Sequence, residues 1–116
     1  MVVDAMVLCM FLGYGPEGEA ELLKAVTGWD TGVGELQRIG ERIITNMRLF
    51  NIREGLTAAD DVLPERFFQP KTDGPVAQVH LDRAKYEKSK QYFYTLMGWD
   101  SNGVPLPEKV QELYIK

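Results

Sequence analysis

The first residues that could do chemistry are an acid and a thiol near the amino terminus. Asp4 stands five residues before Cys9, the only cysteine, inside the stretch DAMVLCMF at 4–11. A carboxylate can accept paired N–H donors, and a thiolate is a metal ligand. The residues alone also allow plainer roles, a buried small hydrophobe for Cys9 and a helix cap for Asp4. A redox-sensing thiol is disfavoured because no basic residue lies near Cys9 in the sequence.

Size and composition limit the classes of protein to which the chain can belong. Its 116 residues argue for a single domain, 1–116, with a modest core. The net charge of −4 and the lack of a basic cluster disfavour binding to nucleic acid or to an anionic membrane. No stretch reaches the roughly 20 apolar residues of a membrane span. A single cysteine is typical of a reducing compartment, so we expect a cytoplasmic protein.

The elements that must position Asp4 and Cys9 are predicted to be helices. Pro16 and the acidic residues after it indicate a helix start, and Gly28 indicates its end. Asp30 or Thr31 is the expected cap of the next helix. Its buried stripe is predicted from apolar residues at spacings of three and four: Leu36, Ile39, Ile43, Met47 and Phe50. Gly55 should end that region.

The second half of the chain gives similar signals. Pro64 can open a short helix. Residues 69–79 are predicted to form a loop. Asp82 is the expected cap of another long helix that ends at Gly98. Its inner side is predicted from four residues: Tyr86, Ser89, Phe93 and Leu96. Pro107 should open a last helix that buries Val110 and Leu113.

These signals together predict an all-α fold, a small multi-helical bundle of about five helices. The segment Met1–Leu12 lacks the basic leading residues of a signal peptide, so we assign it to the fold. Its apolar run is compatible with a buried strand, but its length and context favour a helix. A regular helix would place Asp4 and Cys9 on different sides, so a segment that uses both residues for binding would have to lie between two ligands or be partly non-helical.

Other polar residues have plain interpretations. His80 lies between a loop and a helix, where a surface or capping role is expected. Asp60, Asp61 and Glu65 could suggest a metal site, but they lack a second set of ligands and favour the charge of a helix start.

Several strings in order resemble the C-terminal part of the aldehyde ferredoxin oxidoreductase family, the tungsten-pterin enzymes. They are TGWDTGVGELQRIGERI at 27–43, NIREG at 51–55, DDVLPERF at 60–67 and YFYTLMGWDSNGVPLPEKVQEL at 92–113. The family also has an Asp-x-x-Gly-Leu-Cys segment. DAMVLC at 4–9 matches it at Asp4, Leu8 and Cys9 and departs from it at Val7, where the family pattern often has glycine.

The resemblance implies roles for the matching residues. Asp4 would bind a pterin of a tungsten- or molybdenum-bis-pterin cofactor, and Cys9 would be a ligand of a [4Fe-4S] cluster. Leu8 belongs to the same cofactor-binding segment. A thiolate is the usual iron ligand of such a cluster, but a cluster needs four ligands. The other cysteines and the second pterin-binding motif are absent from this sequence.

The resemblance also implies partners. The parent enzyme would oxidise aldehydes to carboxylic acids and pass electrons to ferredoxin. We expect this chain to be its C-terminal helical domain, inactive and without cofactor when alone, with the N-terminal pterin-cradling portion as its partner. An uncovered N-terminal apolar segment could cause self-association. The alternative from another class is a free-standing helical interaction module that docks a partner through that segment.

Overall fold

The computed structural model describes residues 2–9, 11 and 13–116, and these form helices joined by loops. The helices are α1 (Val2–Ala5), α2 (Pro16–Thr27), α3 (Val33–Arg53), α4 (Arg83–Leu96) and α5 (Pro107–Glu112). A 3-10 turn covers Glu65–Phe67 after Pro64. Within the described ranges the only β pairing is an isolated bridge between Trp99 and Pro105. The predicted all-α fold of about five helices is confirmed.

Most helix ends lie where the sequence places them. Pro16 opens α2 and Pro107 opens α5. The Asp82 carboxylate caps α4 by accepting the Lys85 N–H at 2.8 Å. Gly28 ends α2 with a φ of 76°, in the left-handed region that glycine enters without a steric penalty. Local interactions of this kind need only a few neighbouring residues, so the sequence predicts them well.

The predicted cap of α3 is wrong. Gly32 precedes the helix and no side chain caps it. The Thr31 hydroxyl instead donates to Glu35, and Asp30 forms an ion pair with Lys24 on α2. Both side chains thus contact other groups in the structure and do not cap the helix.

The buried stripe of α3 also differs from its prediction. Leu36, Gly40 and Arg48 are buried and Ile44 is half-buried, which gives a spacing of four residues. Met47 and Phe50, expected inside, expose 59% and 54% of their surface. Nothing in the described part of the chain covers the face on which these two residues lie.

The inner side of α4 agrees with the prediction at Tyr86 and differs from it at Ser89, Phe93 and Leu96, which are exposed. Leu96 is 80% exposed, and Phe93 is also exposed. The residues that face inward are Tyr86, Lys90 and Tyr94, spaced by four. Tyr94 forms the buried core with Met97 and Trp99, and Ile44 of α3 packs against it. The pattern of apolar residues did not predict this face, because it carries polar side chains.

Contacts at the end of α5 attach that helix to α3. Arg38 and Arg42 donate to the backbone carbonyls of Glu112 and Leu113, at 2.9 and 2.7 Å. These carbonyls lie at the helix end, where intrahelical partners are missing. Leu113 is fully buried, as predicted, and Val110 is half-buried.

The chain is extended for its length. Its radius of gyration is 17.7 Å, whereas a compact domain of this size has about 13 Å. Many large apolar side chains are correspondingly exposed. None of the described helices is both long enough and apolar enough to cross a membrane.

Candidate functional site

The segment from Asp4 to Cys9 is only partly helical. Helix α1 ends at Ala5, a turn covers Met6 and Val7, and Leu8 and Cys9 have no regular structure. The predicted helix over the apolar run is therefore confirmed for four residues only. Met1, Met10 and Leu12 of that run lie outside the described residues.

Val7, the position that departs from the family pattern, has a left-handed backbone with φ of 57°. Two bonds close the turn. The Val7 N–H donates to the Asp4 carbonyl at 3.1 Å, and the Leu8 N–H donates to the Val3 carbonyl at 3.0 Å. This pair of bonds is the Schellman pattern, in which the left-handed residue is usually glycine. The backbone therefore keeps a conformation that suits glycine, although a β-branched valine occupies it.

Replacing Val7 by glycine should stabilise the chain. A left-handed conformation costs an L-residue about 1–2 kcal/mol, and the larger entropy of glycine in the unfolded chain offsets part of that gain. We expect Val7→Gly to raise the free energy of unfolding by about 0.5–1 kcal/mol, measured by urea denaturation. Ala5→Gly, inside α1, is the control and should lower it. A loss of stability in Val7→Gly would contradict the strained turn.

The two groups predicted to bind a cofactor, the Asp4 carboxylate and the Cys9 thiol, are both accessible. Asp4 and Cys9 are exposed, and Leu8 between them is half-buried. A hydrogen bond from the amino terminus of the chain and its positive charge lower the pKa of Asp4, so its carboxylate is ionised at neutral pH. An ionised carboxylate can accept paired N–H donors, and an exposed thiol can reach a metal outside the chain.

The donor set of this chain alone is incomplete. Across the residues that the structure describes, no group of three or more His, Cys, Asp or Glu side chains could hold a metal ion. Cys9 fits a cluster only as one of its ligands, with the others supplied by another polypeptide segment.

An apolar cavity of about 510 Å³ adjoins the segment. Leu8 and Met6 form one wall, and Trp29 forms another. Helices α2 and α3 supply the remaining apolar lining with Leu22, Leu23, Val26, Leu36, Ile39 and Ile43. Leu8 thus lines this cavity, between the exposed Asp4 and Cys9.

A second group of polar residues, at the other end of α3, was not predicted from the sequence. Arg48 is 7% exposed. Its Nη1 donates to Asp61 Oδ1 at 2.9 Å, and its Nε donates to the Gly103 carbonyl at 2.8 Å. Nη2 forms an ion pair with Asp61 Oδ2 at 2.7 Å without hydrogen-bond geometry. The Tyr94 hydroxyl donates to the same carboxylate.

Further contacts make Asp61 the centre of this network. Its backbone carbonyl accepts from the Tyr86 hydroxyl at 3.0 Å and from Lys90 at 3.2 Å. The Arg48 guanidinium also lies 5.5 Å from the Trp99 ring centroid. No pattern in the sequence predicted this network, because the predicted stripe of α3 included neither Ile44 nor Arg48.

The network shifts two pKa values. Burial, together with the hydrogen bond to Asp61 and its charge, raises the pKa of Tyr94 to about 12. Burial alone would raise the pKa of Asp61, but the hydrogen bonds from Arg48 and Tyr94 lower it below its ordinary value of 3.8. Both shifts keep the tyrosine neutral and the aspartate charged over a wide range of pH.

These shifts predict a stability profile with two edges. Tyr94 favours folding while it is protonated, so its contribution is present below pH 10 and is lost as the pH rises to about 12. Asp61 favours folding while it is ionised, so its contribution is lost as the pH falls below 3.8. Thermal unfolding at several pH values should show both edges. Tyr94→Phe should reduce the alkaline edge. Burial lowers the pKa of Lys109, but the hydrogen bonds to Glu41 and Glu112 raise it above its ordinary value, so Lys109 accounts for the part of the edge that remains. An unchanged alkaline slope in that variant would contradict the assignment to Tyr94.

The remaining polar candidates have structural partners. Asp60 Oδ2 accepts from the N–H and the hydroxyl of Thr57, at 2.8 and 3.0 Å. Glu65 pairs with Arg83, and the exposed His80 ring contacts the Gln78 carbonyl at 3.2 Å. Asp60, Asp61 and Glu65 therefore serve separate contacts within the chain.

Comparisons with known protein families agree along the whole chain. A family model described as aldehyde ferredoxin oxidoreductase, domains 2 and 3, matches residues 1–115. The tungsten-containing aldehyde ferredoxin oxidoreductase of Pyrococcus furiosus is 41% identical over 98% of this chain and 19% of its own length. The corresponding protein of Thermococcus kodakarensis is 40% identical over the same shares.

More distant proteins also match. The WOR-like subunit of the aliphatic sulfonate oxidoreductase of Pyrococcus furiosus is 31% identical over 97% of this chain and 19% of its own length. Among solved structures, the active site complex BamBC of benzoyl coenzyme A reductase shares the fold. Its TM-score is 0.76 at 21% identity, over 98% of this chain and 17% of that one. The chain thus spans about a fifth of the length of the curated relatives that it matches.

Proposed function

The chain belongs to the aldehyde ferredoxin oxidoreductase family, and from that premise we propose that it is the C-terminal helical domain of a tungsten- or molybdenum-bis-pterin oxidoreductase. In this proposal Asp4 binds one pterin and Cys9 is a ligand of a [4Fe-4S] cluster. When bound, these groups supply the oxidation of an aldehyde to a carboxylate and the transfer of its electrons to ferredoxin. The location proposed for the parent enzyme is the cytoplasm.

The accessibility of the Asp4 carboxylate, which accepts hydrogen bonds, and of the Cys9 thiol, which can bind a metal, carries this proposal; the two residues lie on either side of one short turn. The Asp4 carboxylate can accept the paired N–H donors of a pterin ring edge in the bidentate way it accepts an arginine. The Cys9 thiolate completes a ligand set whose other members lie in the rest of the parent polypeptide. In the proposal, the turn at Val7, which interrupts the helix after Ala5, allows both groups to reach the same neighbour.

Leu8 has the anchoring role. Its side chain lines the apolar cavity while the residues around it remain exposed. Full burial of a leucine side chain stabilises a position by about 1.5–3 kcal/mol; Leu8 is half-buried and contributes part of that, which in the proposal restrains the backbone that carries Asp4 and Cys9. The apolar walls of α2 and α3 would exclude water from one side of the cofactor and form part of the substrate channel.

Substituting Cys9 tests the ligand assignment. Co-expression with the N-terminal portion of the parent enzyme should yield a complex that retains iron and tungsten or molybdenum. Cys9→Ser should lose most of the iron and the electron paramagnetic resonance signal of the reduced cluster. The metal content is measured by plasma mass spectrometry.

Two matched changes make the result specific. Asp4→Asn should lower the tungsten or molybdenum content, whereas Asp73→Asn, on an exposed loop, should leave it unchanged. A complex of Cys9→Ser with an intact cluster would refute the role of Cys9.

The alternative, a free-standing interaction module, is favoured by one observation. Val7 and Phe11 expose 90% and 89% of their surface at the N-terminal segment. Such exposed apolar side chains mark a surface that docks a partner. Light scattering of the chain alone separates the two functions. A free-standing module should be a stable monomer, whereas the domain without its parent enzyme should self-associate through the apolar segment.

A further inference from the structure

Val7 has a backbone conformation that is unusual for its residue type. Its φ is 57°, and a left-handed backbone is a clear outlier for a β-branched residue. Gln78 and Tyr114 are the other residues besides glycine with positive φ in the described part of the chain, and neither is branched at Cβ. Val7 therefore carries the largest conformational cost of the three.

Contacts within the chain do not offset this strain. The Val7 side chain is 90% exposed, so its burial contributes little. The hydrogen bonds that close the turn come from the backbone N–H groups of Val7 and Leu8, and glycine at position 7 would make both of them. The isopropyl group thus adds strain to the described part of the chain without adding stability to it.

Strain of this kind points to a role in binding a ligand. Residues held in sparsely populated backbone conformations cluster at active sites and ligand clamps. Val7 lies three residues after Asp4 and two residues before Cys9, the two exposed groups proposed to hold the cofactor. An apolar side chain beside a few polar binding groups is typical of the lining of a small-molecule site.

A pterin suits this arrangement because it is planar. Its N–H edge needs an acceptor, which is the role proposed for the Asp4 carboxylate. Its ring face gains from contact with alkyl carbons. Among the large apolar side chains that are exposed in the described ranges, Val7 is the nearest to Asp4 in the sequence.

We propose that Val7 is a positioning residue for the cofactor, and that its isopropyl group lies against the ring of the pterin that Asp4 binds. This inference rests on the proposed function, since it requires that pterin. The strain of the turn is then offset only in the loaded enzyme, where the isopropyl group is removed from water. The valine therefore has opposite effects on the stability of the protein with and without its cofactor.

Cofactor retention in the parent enzyme tests this contact. Release of the pterin is followed by the fluorescence of the free ring, and release of tungsten or molybdenum by plasma mass spectrometry. We expect Val7→Gly to release both about tenfold faster than the unchanged enzyme, because the contact of a valine side chain is lost. Val79→Gly, on a loop where the valine is 64% exposed, should release them at the unchanged rate. Equal or slower release from Val7→Gly would overturn the proposal.

Val7→Ala separates the side-chain contact from the backbone strain. Alanine keeps the strain of an L-residue in the left-handed region but lacks the two methyl groups of valine. Release from Val7→Ala should therefore be faster than from the unchanged enzyme and slower than from Val7→Gly. If Val7→Ala retains the cofactor as well as the unchanged enzyme does, the side chain makes no contact with the pterin and the proposal is wrong.

The enzyme without its cofactor should show the opposite effect. In parent enzyme produced without tungsten and molybdenum, Val7→Gly should be at least as stable to urea as the unchanged protein, since only strain is removed. Lower stability of Val7→Gly in both forms would indicate that the isopropyl group packs against protein, and would overturn the contact with the pterin.

The variants of Asp4 and Cys9 separate this inference from the proposed function. If Asp4→Asn and Cys9→Ser lose their metals while both Val7 variants retain them at the unchanged rate, only the role of Val7 is refuted. If Asp4→Asn and Cys9→Ser retain metals and pterin in full, the proposed function fails, and the role of Val7 fails with it.

Discussion

Asp61→Ala is expected to lower the free energy of unfolding by about 3 kcal/mol, because it leaves the Arg48 guanidinium buried without its counter-charge. Arg48 is 7% exposed and its ion pair with Asp61 is the most buried one described. The same change removes the acceptor of the Tyr94 hydroxyl. Urea denaturation followed by circular dichroism measures the loss.

Two further variants serve as controls for the loss of stability in Asp61→Ala. Asp30→Ala breaks an exposed pair with Lys24, whose side chains are 57% and 80% accessible, and should cost at most about 0.5 kcal/mol. The double variant Arg48→Met with Asp61→Ala removes both charges and should be more stable than Asp61→Ala alone. If Asp61→Ala costs no more than Asp30→Ala, the network does not stabilise the fold.

Gly103→Ala should be comparably disruptive, with a loss of about 3 kcal/mol from two separate causes. Gly103 has a φ of 70°, where alanine is strained. A Cβ there would lie 2.5 Å from Arg48 Nη2 and 2.8 Å from Tyr94 Cζ. Neither atom can move away easily, because the network with Asp61 holds both side chains.

Gly28→Ala separates the steric cause from the conformational one. Gly28 has a similar φ of 76°, but a Cβ at that position would meet nothing within 4 Å. Its expected cost is therefore only the conformational part, about 1 kcal/mol. Thermal or urea unfolding of the two variants should differ by about 2 kcal/mol. Equal losses would show that the contact with Arg48 and Tyr94 is not tight.

Val7 occupies a position at which the family pattern often has glycine. The resemblance identified the departure, and the structure gives its consequence, since Val7 adopts the left-handed conformation that glycine would take. The replacement changes the strain of the turn and leaves its hydrogen bonds in place.

The sequence by itself determined the all-α class, most helix ends and the family. Pro16, Gly28, Asp82, Gly98 and Pro107 act through backbone geometry and capping bonds that span at most five residues, so a local pattern predicts them. It left open whether the segment from Asp4 to Cys9 lies as a helix between two ligands or is partly non-helical, and the structure shows the second. It did not predict that Gly32 precedes α3. Asp30 pairs with Lys24 of α2 and Thr31 donates to Glu35, so neither side chain caps the helix.

Only the tertiary structure decided which faces of α3 and α4 are buried and that Arg48, Asp61, Gly103 and Tyr94 meet. Arg48 is separated by 13 residues from Asp61 and by 55 from Gly103, so no local pattern encodes these contacts. Hydrophobic periodicity assigned Met47, Phe50 and Leu96 to the core, but a buried guanidinium and a tyrosine hydroxyl occupy the inner side. Polar groups can be buried there because each finds its partner only once the loop at Asp61 and the turn at Gly103 pack against the helices.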